Sequence, residues 1–488
     1  MIPNSITIIE NKAFMGCTSL SSITIPNSVK TIGEYAFRSS GLCSLTIGSG
    51  VINIGQWALP DNKCKIIWLP NTPPEGVEYS NQYLYDEIHY VANDSYSKLT
   101  SNITIYPFIS SIFEVDGVKY VPISPSERTC DVIDCAYNES SEHITIRKTV
   151  SYKGIDMIVK NINQYAFYHN PCIKSIDLSF DGNIGDYTFQ NCSSMTTAIL
   201  GEGVTSIGQY AFSRCDKLQS IVIPDAVTSV GEAVFWGCTS MTSAKIGNGI
   251  TSINNGSFSG CTSLTDVQIG SNVATISKNA FKNCSTLPKI QIPQSVTIIE
   301  DYVFSECNSL KTVIMDVEKT ELRLGSNGSS PLFADCPLDS VYIGRNIAYS
   351  KSNNYGYSPF YRNTSLRSVT ITDKETEISH YEFYGCTNLK NVSIGDGVET
   401  IGNWAFSGCS SLNYFAFGSK VKTIGKEAFS DCTAMTKLIS RAVTPPTCGS
   451  QALDDINKWN CTLSVPIGTK MHINKLINGR SSSSSTTM

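Results

Sequence analysis

Residues 207–227 read IGQYAFSRCDKLQSIVIPDAV, with apolar side chains at Ile207, Phe212, Cys215, Leu218, Ile221, Ile223 and Val227. The run Leu218-x-x-Ile221-x-Ile223 ends in alternation, which predicts a short strand with Ile221 and Ile223 inward and Ser220 and Val222 outward. Pro224 follows, and the equivalent residue elsewhere is mostly Pro or Gly (Gly247, Gly270, Pro293, Gly344, Gly395, Gly418), so a turn ends each strand. A second extended piece, V-x-x-I-G, leads into the A-F-x-x-C segment, which is too brief for a full helix and reads as a single helical or 3₁₀ turn.

The same stretch recurs along the chain. Aligned on its phenylalanine it returns at Phe167, Phe189, Phe212, Phe235, Phe258, Phe281, Phe304, Phe333, Phe360, Phe383, Phe406 and Phe429, and nine of these eleven steps are 22 or 23 residues. The longer steps, 29 and 27 residues, flank Phe333, where RLGSNGSS (323–330) and AYSKSNNYGYS (348–358) add loop composition to an unchanged frame. Phe14, Phe37 and the degenerate Trp57-Ala58-Leu59 form a shorter set at the start. A fixed period of this size marks stacked units. No unit can bury its apolar side alone, so neighbours supply the missing wall, with strands ~4.8 Å apart in a parallel ladder. The expected fold class is a repeat solenoid.

The pattern L-x-x-I-x-I-[PG]-x-x-V-x-x-I-G-x-x-A-F-x-x-C resembles the leucine-rich repeats of the BspA-like family, a bacterial cell-surface type also found in some protozoan parasites. The resemblance covers residues 2–70 and 161–440. It implies a right-handed superhelix with a parallel β-sheet, short helical or 3₁₀ turns and small β-rich caps. It also implies a cell-surface or secreted location and attachment to host matrix or cell-surface proteins.

Breaks in the period divide the chain. Residues 1–70 read as a truncated first array, and 71–112 as its C-terminal cap and linker. Residues 113–160 read as a β-hairpin module leading into the main array, which runs over 161–441; a second cap follows at 442–478 and a disordered Ser/Thr tail at 479–488. NTPPEG (71–76) and AVTPPTCG (442–449) end the two ladders alike, since consecutive prolines remove backbone donors. Asp116-Gly117 marks a hairpin turn in the middle segment. Met1 falls just after the place of a first repeat strand, so the sequence is expected to begin within a longer array, and an export signal is expected upstream.

Composition narrows the function. Charged residues make up 16%, hydrophobic residues 41%, and the net charge is −5, which is not the balance of a nucleic-acid binder. No apolar run reaches the ~18 residues of a membrane span, and MIPNSITIIE lacks the basic and apolar regions of a signal peptide. Of 18 cysteines, eleven (Cys17, Cys192, Cys215, Cys238, Cys261, Cys284, Cys307, Cys336, Cys386, Cys409 and Cys432) stand three residues after the repeat phenylalanine. The last ten are expected as a buried, reduced file whose small polar group satisfies backbone inside the stack. Cys130 with Cys135 and Cys448 with Cys461 are the pairs local enough for disulfides. No C-x-x-C, no H-E-x-x-H and no Gly-x-Ser-x-Gly elbow occurs. The five histidines are scattered, and the glycines around Gly201-x-Gly203 repeat as turn residues. No catalytic, cofactor or metal constellation is read, and the chain is taken as a non-enzyme. Asn-x-Ser/Thr triplets such as Asn102 and Asn363 carry little weight, because Asn191 and Asn283 make the same triplet beside the cysteine column.

Two surfaces remain as candidates. The outward strand positions form a polar sheet face suited to protein or glycan contact, with Lys245, Asp266, Gln268, Lys289, Gln291, Tyr342 and Tyr414 as the candidate ligand residues. An aromatic file two residues before the phenylalanine, including Tyr165, Tyr187, Tyr210, Tyr302, Tyr381 and Trp404, offers rings for sugar stacking in nutrient capture, though packing across neighbouring turns explains it without a ligand. The preferred partner is an extracellular protein; a glycan is the alternative, and oligomeric state is open.

Overall fold

The computed structural model describes residues 2–466 except 62–63, 78–87, 92–102, 106–110, 125, 136–141, 319, 326–330, 334, 350–357 and 457–459. The chain divides into two compact units, Met1–Leu218 and Gln219–Met488. The Ser/Thr tail, much of the second cap and Asn102 lie outside the described residues.

In the first unit Ser22–Ile25, Ser44–Ile47, Lys65–Trp68, Ile88–Val91 and Ile103–Ile105 form one parallel sheet, with Ile23, Leu45 and Ile66 in register. A second, shorter ladder aligns Ile9, Ile32 and Ile54. Residues 113–162 interrupt this with antiparallel pairs. Val115 faces Val118 across Asp116-Gly117, whose φ values of 52° and 76° define a tight hairpin turn. Tyr152 faces Ile155 across a second such turn, Lys153-Gly154, at 51° and 79°. Thr129–Cys135 then pairs in parallel with Ile155–Ile162, which continues to Gly182–Ile184 and Val204–Ile207. The hairpins and the short-strand ladder of the repeats therefore share one sheet.

The second unit repeats the two ladders. Lys289–Ile292, Thr312–Met315, Ser340–Ile343, Ser368–Ile371 and Asn391–Ile394 align without a register shift. The two long steps flanking Phe333 thus leave the frame intact, as loop insertions should. Burial alternates along the strands, as in Lys289–Ile292, where Ile290 and Ile292 are buried and Lys289 and Gln291 exposed.

Inside each unit the repeat phenylalanines stack face to face. Ring centroids are 5.0 Å apart for Phe167 and Phe189, and 5.5 Å for Phe258 and Phe281. The A-F-x-x-C segments are not helical. Residues two before and two after the phenylalanine are left-handed, as at Tyr187 (φ 56°) and Asn191 (φ 60°) or Trp404 (53°) and Gly408 (76°). This geometry sends alternate N–H groups to the next turn: Phe189 donates to Ala211 at 2.7 Å and Asn191 to Ser213 at 2.9 Å. The groups between them close i to i−3 turns, as Cys192 does on Phe189 at 3.1 Å. A helix would spend its donors within its own turn and leave no ladder to the neighbour. The single helical or 3₁₀ turn expected from the sequence is thereby replaced by linked tight turns. Close stacking also explains Gly208, where a Cβ would lie 2.4 Å from the Asp186 backbone nitrogen.

The ten-cysteine file is buried and carries free thiols. Nine of the ten thiols donate to the phenylalanine carbonyl of the preceding turn, Cys192 to Phe167 at 3.1 Å and Cys284 to Phe258 at 3.3 Å. Asn363 occupies the same column, 6% exposed, and donates to the Phe333 and Cys336 carbonyls. It is therefore a buried structural residue rather than a surface sequon. Cys130 and Cys135 are five residues apart on one strand, about 16 Å of extended chain, too far to be bridged. Cys448 and Cys461 are both free thiols.

Candidate functional site

The outward face of the second unit is built by the long strands. Register places Val222, Lys245 and Gln268 side by side, and likewise Gln291, Ile314, Tyr342 and Thr370. Lys245, Asp266, Gln268, Lys289 and Gln291 are exposed, Tyr414 is 38% exposed, and Tyr342 is half-buried. Gln291 is oriented by Asp316, to which its amide donates at 3.0 Å, and Gln268 donates to Asp266 at 3.4 Å. Tyr414 lies beside Lys437 on the last strands.

The aromatic file breaks into separate groups. Tyr165, Tyr187 and Tyr210 stack at 4.9 and 5.2 Å in the first unit. In the second unit Tyr381 stacks on Trp404 at 4.9 Å, and Lys426 lies 5.0 Å over the Trp404 ring. The Trp404 indole N–H donates to Glu427 at 2.9 Å. Tyr302 carries Lys278 at 5.5 Å. Ala233, Gly256 and Asn279 hold the same left-handed column between these groups, which is why the rings do not form one continuous track.

The first unit contains a feature that the sequence did not reveal. The outward positions of its first array, Ser44, Thr46, Lys65 and Ile67, are buried, because the hairpin strands of 118–135 lie against them. Ile67 packs with Val121, Ile133 and Tyr168. Lys65 Nζ pairs with Asp134 and donates to the carbonyls of Ile133 at 3.2 Å and Ala166 at 2.9 Å. Lys119 and Ser44 donate to the other Asp134 oxygen at 3.0 and 3.1 Å. Burial alone would raise the Asp134 carboxyl, but the two ammonium groups hold it below the usual carboxylate range. A lysine at an outward strand position reads as solvated, and nothing in the pattern links residue 65 to residue 134.

The described histidines make separate contacts: His143 with Ser175, His169 with Asn191, and His380 with the Asn403 backbone. Among the described residues no three His, Cys, Asp or Glu side chains come together as a metal-holding set, and no helix is long and apolar enough to cross a membrane.

Stacked turns of this kind, with parallel ladders and an inward phenylalanine file, define a leucine-rich repeat solenoid protein. The family model described as BspA type Leucine rich repeat region (6 copies) matches residues 1–113, 135–242, 160–288, 234–359 and 355–444. The chain belongs to that family. Among solved structures it is similar to a leucine-rich repeat protein from Bacteroides ovatus, at 25% identity over 72% of this chain and 99% of that one, TM-score 0.42. It is also similar to a leucine-rich cell surface protein from Faecalibacterium prausnitzii, at 21% identity over 75% and 97%, TM-score 0.40. The pneumococcal vaccine antigen PcpA shares 17% identity over 73% and 98%, TM-score 0.33. No curated protein matches the chain.

Proposed function

We propose that this chain is a non-catalytic, cell-surface or secreted adhesion module. It binds an extracellular protein of a host matrix or cell surface through the outward strand face of the second unit. The observation that carries this reading is the exposure of Lys245, Asp266, Gln268, Lys289 and Gln291 on the outward positions of two successive parallel sheets, against the covered equivalent positions of the first array. A rigid face that presents many weak polar contacts has little ordering cost on binding, which suits protein attachment. Nucleic acid is disfavoured by the net charge of −5. Glycan capture by the aromatic file draws less support, because ring faces are taken by neighbouring rings or by Lys426 and Lys278. The test is binding of the purified chain to arrays of matrix proteins and glycans, beside a variant carrying Lys245→Glu, Gln268→Glu, Lys289→Glu and Gln291→Glu. Saturable binding to a protein, lost in the variant, is the expected result. Unchanged binding in the variant, or selective sugar binding abolished by Trp404→Ala, overturns the reading.

A further inference from the structure

The turn from Leu366 to Cys386 departs from the repeat at three inward columns. Glu375 stands where other turns place Val227, Val273, Val296 or Val398, Ser379 replaces the glycine, and Glu382 replaces the alanine of A-F-x-x-C. Both glutamates are buried, at 2% and 1% exposure. A lone polar substitution in a solenoid core is a tolerated defect, whereas two acids in one turn demand compensation.

The backbone N–H groups of Glu377 and Ile347 bond the Glu375 carboxyl, yet its Oε2 is buried with no hydrogen-bond partner. Glu382 Oε2 accepts the Ser379 N–H at 2.7 Å, and its carbonyl accepts the Ser358 hydroxyl at 2.8 Å. The phenol of Tyr349, at the start of the second inserted segment, donates to the His380 carbonyl at 3.2 Å and lies near the hydroxyls of Ser358 and Ser379. After burial itself, the charges that act on Glu375 are Glu382 and then Glu377, both negative, and together they raise its carboxyl to about 9.

We infer that Glu375 and Glu382, with the Tyr349 phenol beside Glu382, form a site for a hard divalent cation of the calcium kind, which bridges the two carboxylates and ties Tyr349 to the repeat stack. The unpartnered Glu375 Oε2 points to a missing ligand, and the carboxylate, phenol, hydroxyl and carbonyl oxygens named above suit a hard cation. With only two charged ligands, the site differs from a three-residue metal cluster and relies on neutral oxygens for the rest.

The experiment is calorimetric titration of chelator-treated full chain with CaCl₂, paired with thermal unfolding in chelator and in Ca²⁺. Saturable binding and a higher melting temperature in Ca²⁺ are expected for the wild type. Glu375→Gln keeps an acceptor for the Ile347 and Glu377 N–H groups, so it should melt in chelator no lower than the wild type and show no Ca²⁺ response. Glu382→Gln should bind about tenfold more weakly or worse. Absence of saturable heat overturns the inference, as does a Ca²⁺ response that survives Glu375→Gln. Should Glu375→Gln fail to fold, the wild-type pair of melts still decides. A wild type indifferent to Ca²⁺ whose stability falls as pH rises through about 9 holds only a shared proton there, and this too overturns it.

Discussion

The repeat phenylalanine and cysteine carry most of the inward chemistry of each turn. Phe281 is fully buried between Phe258 and Phe304, with centroids 5.5 and 6.1 Å away, so Phe281→Ala leaves a cavity between two stacked neighbours. It should destabilise the chain by about 3–5 kcal/mol in denaturant unfolding. Burial pushes the Cys307 and Cys386 thiols up to about 12, so the thiolate is scarce at neutral pH. A thiol reagent at neutral pH should therefore leave the ten-cysteine file unmodified in the native chain and label it once denaturant is added; native labelling of the file would contradict the packing. The role of this column was legible in the sequence, since a small polar residue at fixed spacing beside a turn has few other uses. The left-handed backbone of its neighbours was not, because Tyr35, Trp57, Tyr165 and Trp404 are poor residues for that conformation and take it only because the inter-turn ladder and ring stacking require it.

At the level of elements, the hairpin module contains two buried acids with opposite pH behaviour. Burial raises Asp131 from 3.8 to about 6, against the opposing pull of its bond from Asn161 at 2.9 Å. The folded state then binds its proton more tightly than the unfolded chain, so this contribution is complete below the unfolded value and is lost as pH rises through about 6. Its size over that window is about 3 kcal/mol. Asp131→Asn should flatten the pH dependence of urea unfolding between these values. Asp134 acts in the reverse sense: held low by Lys65 and Lys119, it stabilises above its unfolded value and weakens the fold on acidification. Lys65→Ala removes one of the two ammonium partners of buried Asp134 and leaves the Ile133 and Ala166 carbonyls without their donor, and should cost about 3–5 kcal/mol, measured by the same unfolding titration. The Asp116-Gly117 turn could be read from two adjacent residues with a known preference. Lys153-Gly154, which makes an equivalent turn, has the same glycine but a first residue without that preference, and so escaped notice.

For the whole molecule, the proposed adhesive surface must be separable from stability if it is to be tested. Lys245, Gln268, Lys289 and Gln291 are exposed on strands whose inward neighbours do the packing, so each change to Glu should shift stability by no more than about 0.5 kcal/mol. Unchanged circular dichroism and melting temperature in the fourfold variant would assign any lost binding to the surface itself. By itself the sequence determined the solenoid, its 23-residue period, the inward and outward columns and the harmless nature of the two insertions, because a regular apolar period repeated many times leaves one way to bury every turn. Only the tertiary structure decided which outward columns stay free. The Lys65–Asp134 contact covers one face, Tyr349 reaches the turn that holds His380 and the buried Glu382, and Asn363 leaves the surface for the cysteine column. Each depends on residues distant in sequence meeting across packed faces, and a periodic pattern records the direction of a side chain but not what comes to lie against it.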